Sequence, residues 1–416
     1  MTIILHVGAG KCGSSSLQAH MSGQPLFSAD DGSAHFEYVC VMREGELFRR
    51  DCIQLESRRT PYGCQVSAEA EWPWASGKTA LEQLSSQFQE ILAEGRTPIA
   101  SQEAWLNEAH LFAVNETLPR LGLRAKVVVF VRPQIAWLNS CWWQWGAWSP
   151  LSFRDWVEDR KPTIRWAELI RGWQVVPGVD SVEIHAVTGD VVATFFRSLG
   201  VTIERTMRRN VSLDENLLNY LRRRTDIRPL HNPVVDFVLE QRLAAGARGT
   251  PWVMQQDQIS DLIAYYQADN LELLSLLPGE AREAMEHDPM WWGPAAYSER
   301  RAVPAELQEP TIEALEDISA RAIDAVIQLD ARVRTMEESQ RQLITAAEAA
   351  KRELAHAAEA SDRELMLAKE VALRALAAKE AEERKLVGSR LRKAISVNGV
   401  RRLVGAKRAG GAANVH

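Results

Sequence analysis

Cysteine is scarce in this chain of 416 residues: there are five, Cys12, Cys40, Cys52, Cys64 and Cys141, an odd number with no Cys-x-x-Cys pair. A disulfide scaffold and a structural zinc site are both disfavoured. Long apolar runs are missing too. No stretch approaches the roughly 20 residues that cross a bilayer as a helix, and residues 2–7 are too short a run for the core of a secretory leader. Nor does charge of one sign dominate, since 49 Lys and Arg against 55 Asp and Glu leave a net charge of −6. That argues against a general nucleic-acid binder and says little about a small anion held locally. The 46% hydrophobic content can supply a large core for one large or two ordinary domains, and a cytoplasmic enzyme is the expectation.

What is present begins at the amino terminus. Thr2-Ile3-Ile4-Leu5-His6-Val7 reads as a buried strand and runs into Gly8-Ala9-Gly10-Lys11-Cys12-Gly13-Ser14-Ser15-Ser16-Leu17-Gln18, where a helix should begin. Glycines let backbone N–H groups close around an anion, the new helix points its positive end at it, and Lys11 adds a full charge. These are the parts of a phosphate or sulfate cradle. Their order disfavours a Walker-type nucleotide hydrolase, whose lysine follows the last glycine and directly precedes the magnesium-binding Ser or Thr; here Lys11 precedes Gly13. A cysteine-phosphatase loop would need an arginine six positions after Cys12, and that residue is Gln18. The bland alternative is an ordinary strand-to-helix turn.

A second element points the same way. Arg124-Ala125-Lys126-Val127-Val128-Val129-Phe130-Val131 is a β-branched run of the kind buried on both faces of a parallel sheet, and it ends in Arg132-Pro133. Proline suits a first helical turn, so 134–145 is expected to be helical, with Ser140 about two turns in. An arginine fork and a short hydroxyl can together hold a phosphate, although a helix-capping arginine with an incidental serine is the plainer reading. Strand-like and helical stretches alternate to about residue 200, which predicts an α/β domain with a mainly parallel sheet and ligands at the carboxyl ends of its strands. Residues 21–80 read as irregular, with turn residues at Asp30-Asp31-Gly32-Ser33 and a Glu71-Trp72-Pro73-Trp74 segment; 213–300 read as helices broken by Pro229, Pro233, Pro251 and Pro278. Of fourteen tryptophans, five fall at Trp137, Trp142, Trp143, Trp145 and Trp148 and are assigned to packing rather than to the site.

Lys11, Gly13, Ser14, Ser15, Ser16, Leu17 and Gln18 together resemble the 5′-phosphosulfate loop of sulfotransferases that use 3′-phosphoadenosine 5′-phosphosulfate (PAPS), in particular the bacterial and Golgi-like carbohydrate group. Arg132 and Ser140 keep the spacing of that family's pair for the nucleotide 3′-phosphate. Looser similarity in Leu169–Trp173, Ser181–Val187, Phe195–Gly200 and Arg208–Leu213 extends the resemblance to about residue 300. The Lys-Gly-rich C-terminal segment of cytosolic members is absent, and His185 stands where relatives often carry arginine. The resemblance implies a three-layer, P-loop-like domain, PAPS as co-substrate, no metal, and sulfuryl transfer to a hydroxyl, or an amine, of a carbohydrate or other small acceptor. It implies that Lys11 neutralises the leaving oxygen, that Gly13 and Ser14 to Ser16 hold the 5′-phosphate, and that Arg132 and Ser140 anchor the nucleotide. An acceptor hydroxyl needs a base, and Glu103, after the strand-like Pro98-Ile99-Ala100, is the candidate, expected to stay ionised beside Lys11; His6, Asp30 and Asp31 are rivals. Two alternatives stay open, a non-catalytic nucleotide-binding scaffold and a nucleotide-dependent phosphotransferase.

Beyond the sulfotransferase-like segment, taken as 1–304, the chain changes character. From Thr311 to Glu383 there is no Pro or Gly, and a seven-residue repeat runs through Leu315, Ala322, Leu329, Met336, Leu343, Ala350 and Ala357, with a companion seam at Val326, Val333, Gln340, Ala347 and Leu354. This predicts a coiled coil over 305–383 and a homo-oligomer formed through 311–383. The tail, 384–416, is expected to be partly disordered, and carries nine basic and no acidic residues between Arg384 and Arg408. Interleaved apolar residues there predict contact with an anionic membrane surface, making the protein peripheral at the inner membrane; a solvated basic tail is the alternative.

Overall fold

The computed structural model describes residues 2–42, 45–58, 62–66, 77–204, 213–229, 233–243 and 250–406. Among these residues seven strands form one mixed, mostly parallel sheet: β1 (Thr2–His6), β2 (Leu26–Ser28), β3 (His35–Val41), β4 (Leu47–Arg49), β5 (Thr97–Ser101), β6 (Arg124–Val131) and β7 (Val179–Ala186). Their order is β2-β3-β5-β1-β6-β7, with β4 also pairing to β3. β3, β5, β1, β6 and β7 run parallel, and β2 and β4 pair antiparallel to β3. β1 sits at the centre, His6 level with Ser101 on one side and with Val128 on the other. This explains its unbroken apolar run, because a central parallel strand is covered on both faces; Ile3, Ile4 and Leu5 are all buried, as are Val127 to Val131 in β6.

Parallel strands bring their following loops to one edge. Gly8–Gly13 after β1, Gln102 and Glu103 after β5 and Arg132-Pro133 after β6 therefore emerge together, although 90 to 120 residues separate them in the chain. The helices Ser14–Gly23, Gln134–Gln144, Trp166–Gln174 and Val191–Ser198 follow these strands and their connections. After them come Glu215–Arg223, Pro233–Leu243, Gln256–Leu276 and Gly279–His287, broken around the prolines as expected.

The span 21–80 is not irregular throughout. It supplies β2, β3, β4 and the helix Arg50–Ser57. Phe36 to Val41 are all buried, so β3 lacks the in-out alternation by which a strand is recognised in sequence. Glu37 within it is fully buried and is matched by two arginines: Arg49 Nε and Nη2 donate to its carboxylate at 2.7 and 3.1 Å, and Arg50 Nη2 at 3.2 Å. The Glu71–Trp74 segment and most of Arg208–Leu213 lie outside the described residues.

Two compact units divide the chain, Met1–Ala325 and Val326–His416. A single helix, Ile312–Ala406, runs from one into the other, as a long stretch without Pro or Gly allows. Its first turns belong to the first unit: Ala314, Ile318 and Ala325 are buried, and Arg321 pairs with Asp214 at 2.6 Å. From Val326 to Leu386 every residue is exposed. The side chains of the basic tail from 390 onward, and all of 407–416, lie outside the described residues. Among the described residues no helix is long and apolar enough to cross a membrane.

Candidate anion and nucleotide site

The turn after β1 is shaped by close approaches that only glycine permits. A Cβ at Gly8 would stand 2.5 Å from Ser14 Oγ, and one at Gly13 2.7 Å from Val191 Cγ2, while Gly13 itself has φ 91°. Gly13 occupies the residue before the Ser14–Gly23 helix, turning the chain so that the helix amino end faces back over the loop. Lys11 also holds a left-handed conformation, φ 64°, which is uncommon outside glycine. Donors from the β6 connection hold this shape in place. Trp137 Nε1 donates to Gly10 O at 2.7 Å, and Arg132 Nη1 donates to Lys11 O at 3.0 Å. Trp145 closes over Gly10, its ring 3.1 Å from where a Cβ would be. Trp137 and Trp145, read from sequence as packing residues, thus form the wall of the loop; their position just after Arg132-Pro133 was the available signal.

Glu103 comes to the same place from β5. Ser15 Oγ donates to its Oε1 at 3.3 Å, and Oε2 lies 3.2 Å from the Cβ position of Gly10. Its side chain makes no capping bond to the 3₁₀ turn that follows, Ala104–Glu108. Burial pushes its pKa up, and the opposing pull of Lys11 and of the Ser15 hydroxyl does not cancel the rise. Lys11 favours the charged form, as expected, but desolvation is the larger influence and the net direction is upward. Among its rivals, His6 is fully buried with Nδ1 2.8 Å from Ser101 Oγ, and burial, with His185 nearby, lowers it to about 3, leaving it neutral. Asp30 accepts from Thr202 N at 3.1 Å and Oγ1 at 2.7 Å, and Asp31 accepts from Ser33 N at 2.9 Å, so both serve an exposed turn. Cys12 is buried and burial pushes its thiol up to about 12, which excludes a thiolate nucleophile.

Ser140 lies on the Gln134–Gln144 helix and donates to Ala136 O at 3.0 Å. It lines one cleft with Lys11, Tyr62, Trp143 and Arg228. Arg228 had no sequence signal. It is 2% exposed, its Nε and Nη2 donate to Asp236 at 2.5 and 2.8 Å, and its guanidinium lies 3.7 Å over the Trp148 ring. Among the described residues Nη1 of the same group has no hydrogen-bond partner. Lys11, Gly13, Ser14 to Ser16, Glu103 and Arg132 are therefore gathered at one sheet edge, and Ser140 shares a cleft with Lys11. Among the described residues no three His, Cys, Asp or Glu side chains converge as a metal-ligand set.

No family model matches the chain, and no curated protein matches it. Among solved structures, a sulfotransferase from Alicyclobacillus acidocaldarius is similar at 15% identity and a TM-score of 0.36, over 68% of this chain and 99% of that one. The sulfotransferase domain of the Synechococcus PCC 7002 olefin synthase is similar at 13% identity and a TM-score of 0.24, over 64% of this chain and 94% of that one. Both likenesses are weak and extend no further than the fold.

Proposed function

We propose that this chain is a PAPS-dependent sulfotransferase acting on a hydroxyl, or an amine, of a carbohydrate or other small acceptor. The observation that carries the reading is the convergence of Lys11, Ser15, Glu103 and Arg132 on one glycine turn, with bonds of 3.3 Å from Ser15 to Glu103 and 3.0 Å from Arg132 to Lys11 O. In this reading the glycine turn cradles the 5′-phosphosulfate; side chains at Gly8 and Gly13 would strike Ser14 and Val191, so only glycine there lets the turn keep its shape. PAPS supplies an activated sulfuryl group when bound. Lys11 then lies where it can balance negative charge growing on the leaving oxygen, a role worth more in the transition state than in the ground state. Gly13 and Ser14 to Ser16 hold the 5′ end by backbone amides and hydroxyls, and Arg132 and Ser140 hold the 3′-phosphate. Glu103 takes the acceptor proton on Oε1 or Oε2, a role its raised pKa favours because a stronger base accepts a proton more readily.

The decisive experiment incubates purified protein with PAPS and a glycan panel and reads released 3′-phosphoadenosine 5′-phosphate. Turnover supports the reading; nucleotide binding without turnover on any acceptor supports a scaffold, and magnesium-dependent use of ATP supports a phosphotransferase. Ser140→Ala is the sharper binding test because, among the described residues, Ser140 bonds to its own helix alone, whereas Arg132 also braces Lys11. Calorimetry is expected to show weaker binding of 3′-phosphoadenosine 5′-phosphate and unchanged binding of adenosine 5′-phosphosulfate, which lacks the 3′ group. Equal losses for both ligands would remove Ser140 from the 3′-phosphate site.

A further inference from the structure

The C-terminal helix carries a repeat that a seven-residue seam does not capture. From Glu337 to Glu380 the chain falls into four consecutive blocks of eleven residues, beginning at Glu337, Glu348, Glu359 and Glu370. Each block opens with Glu, has Arg at its fifth position (Arg341, Arg352, Arg363, Arg374) and Leu at its seventh (Leu343, Leu354, Leu365, Leu376). The side chains keep the same period, with Glu and Arg of each block approaching at 4.0, 3.9, 3.6 and 2.7 Å in turn. All four leucines project into solvent, 71, 72, 54 and 56% exposed. The seven-residue seam breaks in this stretch: continued from Ala357 it reaches Glu364, continued from Leu354 it reaches Ser361, and it passes by Leu365 and Leu376.

Eleven residues over three turns is about 3.67 per turn, close to the 3.6 of a relaxed helix, so the leucine stripe keeps to one side with a slight right-handed drift. At about 98° per residue the third and eleventh positions flank the leucines most closely, and the fourth and tenth lie further round the same face. The third is small throughout (Ser339, Ala350, Ser361 and Ala372), the tenth is alanine in three blocks (Ala346, Ala357 and Ala368), and the eleventh is alanine in the first two (Ala347 and Ala358) and charged in the last two (Lys369 and Glu380), while Lys351 and Asp362 stand at the fourth. The Glu–Arg pairs fall on the far side of the helix.

We propose that 337–380 is a self-docking surface, occupied by the same segment of a second copy of this chain in a straight or weakly right-handed helix pair, not a left-handed coiled coil. An occupant must present apolar rungs about 16 Å apart over roughly 65 Å of helix without rotating about its axis. A second copy in parallel register does so by construction, and the Ala and Ser between the rungs let the two backbones approach. The charge pattern fits this occupant, because nine acidic and seven basic residues nearly balance over the segment and the repeat's arginines are paired within their own helix. An anionic lipid surface calls for a broad apolar face flanked by unpaired Lys and Arg, and one leucine per block is too narrow. The inference stands apart from the catalytic reading.

Sedimentation velocity on the full chain between about 1 and 50 µM tests it. Leu365→Glu with Leu376→Glu is expected to raise the self-association Kd at least tenfold. Val371→Glu, which lies on the continued seven-residue seam but off the leucine stripe, is expected to leave it unchanged. Circular dichroism on both variants checks that helix content is kept. A monomeric wild type, or a dimer indifferent to the leucine changes, overturns the proposal. So does a dimer broken by Val371→Glu alone, which would restore the seven-residue seam. A wild type that stays monomeric yet floats with phosphatidylserine-containing vesicles, while the leucine variant does not, would assign the stripe to lipid instead.

Discussion

At the scale of single residues, the site turns on how burial and charge compete at Glu103. Its pKa is raised above the ordinary 4.5 because loss of water outweighs Lys11 and Ser15, so a role as base places the acid limb of the rate profile above the usual carboxylate range. The rate is expected to rise with pH through that limb and to level off once Glu103 is ionised. Glu103→Gln keeps the acceptor for Ser15 and removes the basicity; a loss of about a hundredfold to ten-thousandfold is expected, with the acid limb abolished. Near-full turnover in a folded variant would dismiss Glu103 as the base. For Lys11→Ala the expected loss is about a hundredfold to a thousandfold in turnover with a much smaller change in affinity for the desulfated nucleotide. Single-turnover rates beside calorimetry separate the two, and unchanged turnover would end the catalytic reading of Lys11.

At the scale of elements, the glycine turn and the β6–β7 pair each carry a test. Gly13→Ala would force a side chain into φ 91° and against Val191, so a destabilisation of about 1–3 kcal/mol is expected, together with weakened nucleotide binding. A melting temperature equal to wild type would show that the turn relaxes freely. On β7, Glu183 pairs with Lys126 and lies 2.7 Å from His185 Nε2; burial alone would raise it, but these neighbours together hold it at about 2. A carboxylate depressed in the folded state stabilises that state above its unfolded value near 4.5, and the contribution fades as pH falls toward 2. The urea midpoints of wild type and Glu183→Gln are therefore expected to differ at pH 7 and to converge near pH 2. A constant difference would assign the effect to shape instead.

At the scale of the whole molecule, where the chain is cut matters. Ending it after Ala325 retains buried Ile318 and the Arg321–Asp214 pair, so nucleotide affinity and melting temperature are expected to stay at wild-type values while self-association is lost. Ending it after Pro304 leaves Asp214, 16% exposed, without its arginine and is expected to lower the melting temperature. Light scattering and thermal melts on the two truncations check both statements. Equal melting temperatures would mean that 312–325 adds nothing to the folded unit.

The local chemistry of this protein was legible in the chain itself. β1 and β6 announced themselves as unbroken apolar runs because a central parallel strand is covered on both faces, and the Lys11–Ser16 turn followed from glycines and hydroxyls placed where a helix starts. The long helix followed from the missing Pro and Gly. Proximity was not legible, since it depends on strand order. Only the β3-β5-β1-β6-β7 register brings Glu103 and Arg132 to Lys11 across about 90 and 120 residues of chain. The same holds for β3, whose burial on both faces erased its alternation, and for Arg228, whose Asp236 partner and Trp148 platform meet it only in the folded molecule. Even the direction in which the pKa of Glu103 moves was decided there: sequence supplies its cationic neighbour, but the extent to which water is excluded from a carboxylate is a property of everything packed around it.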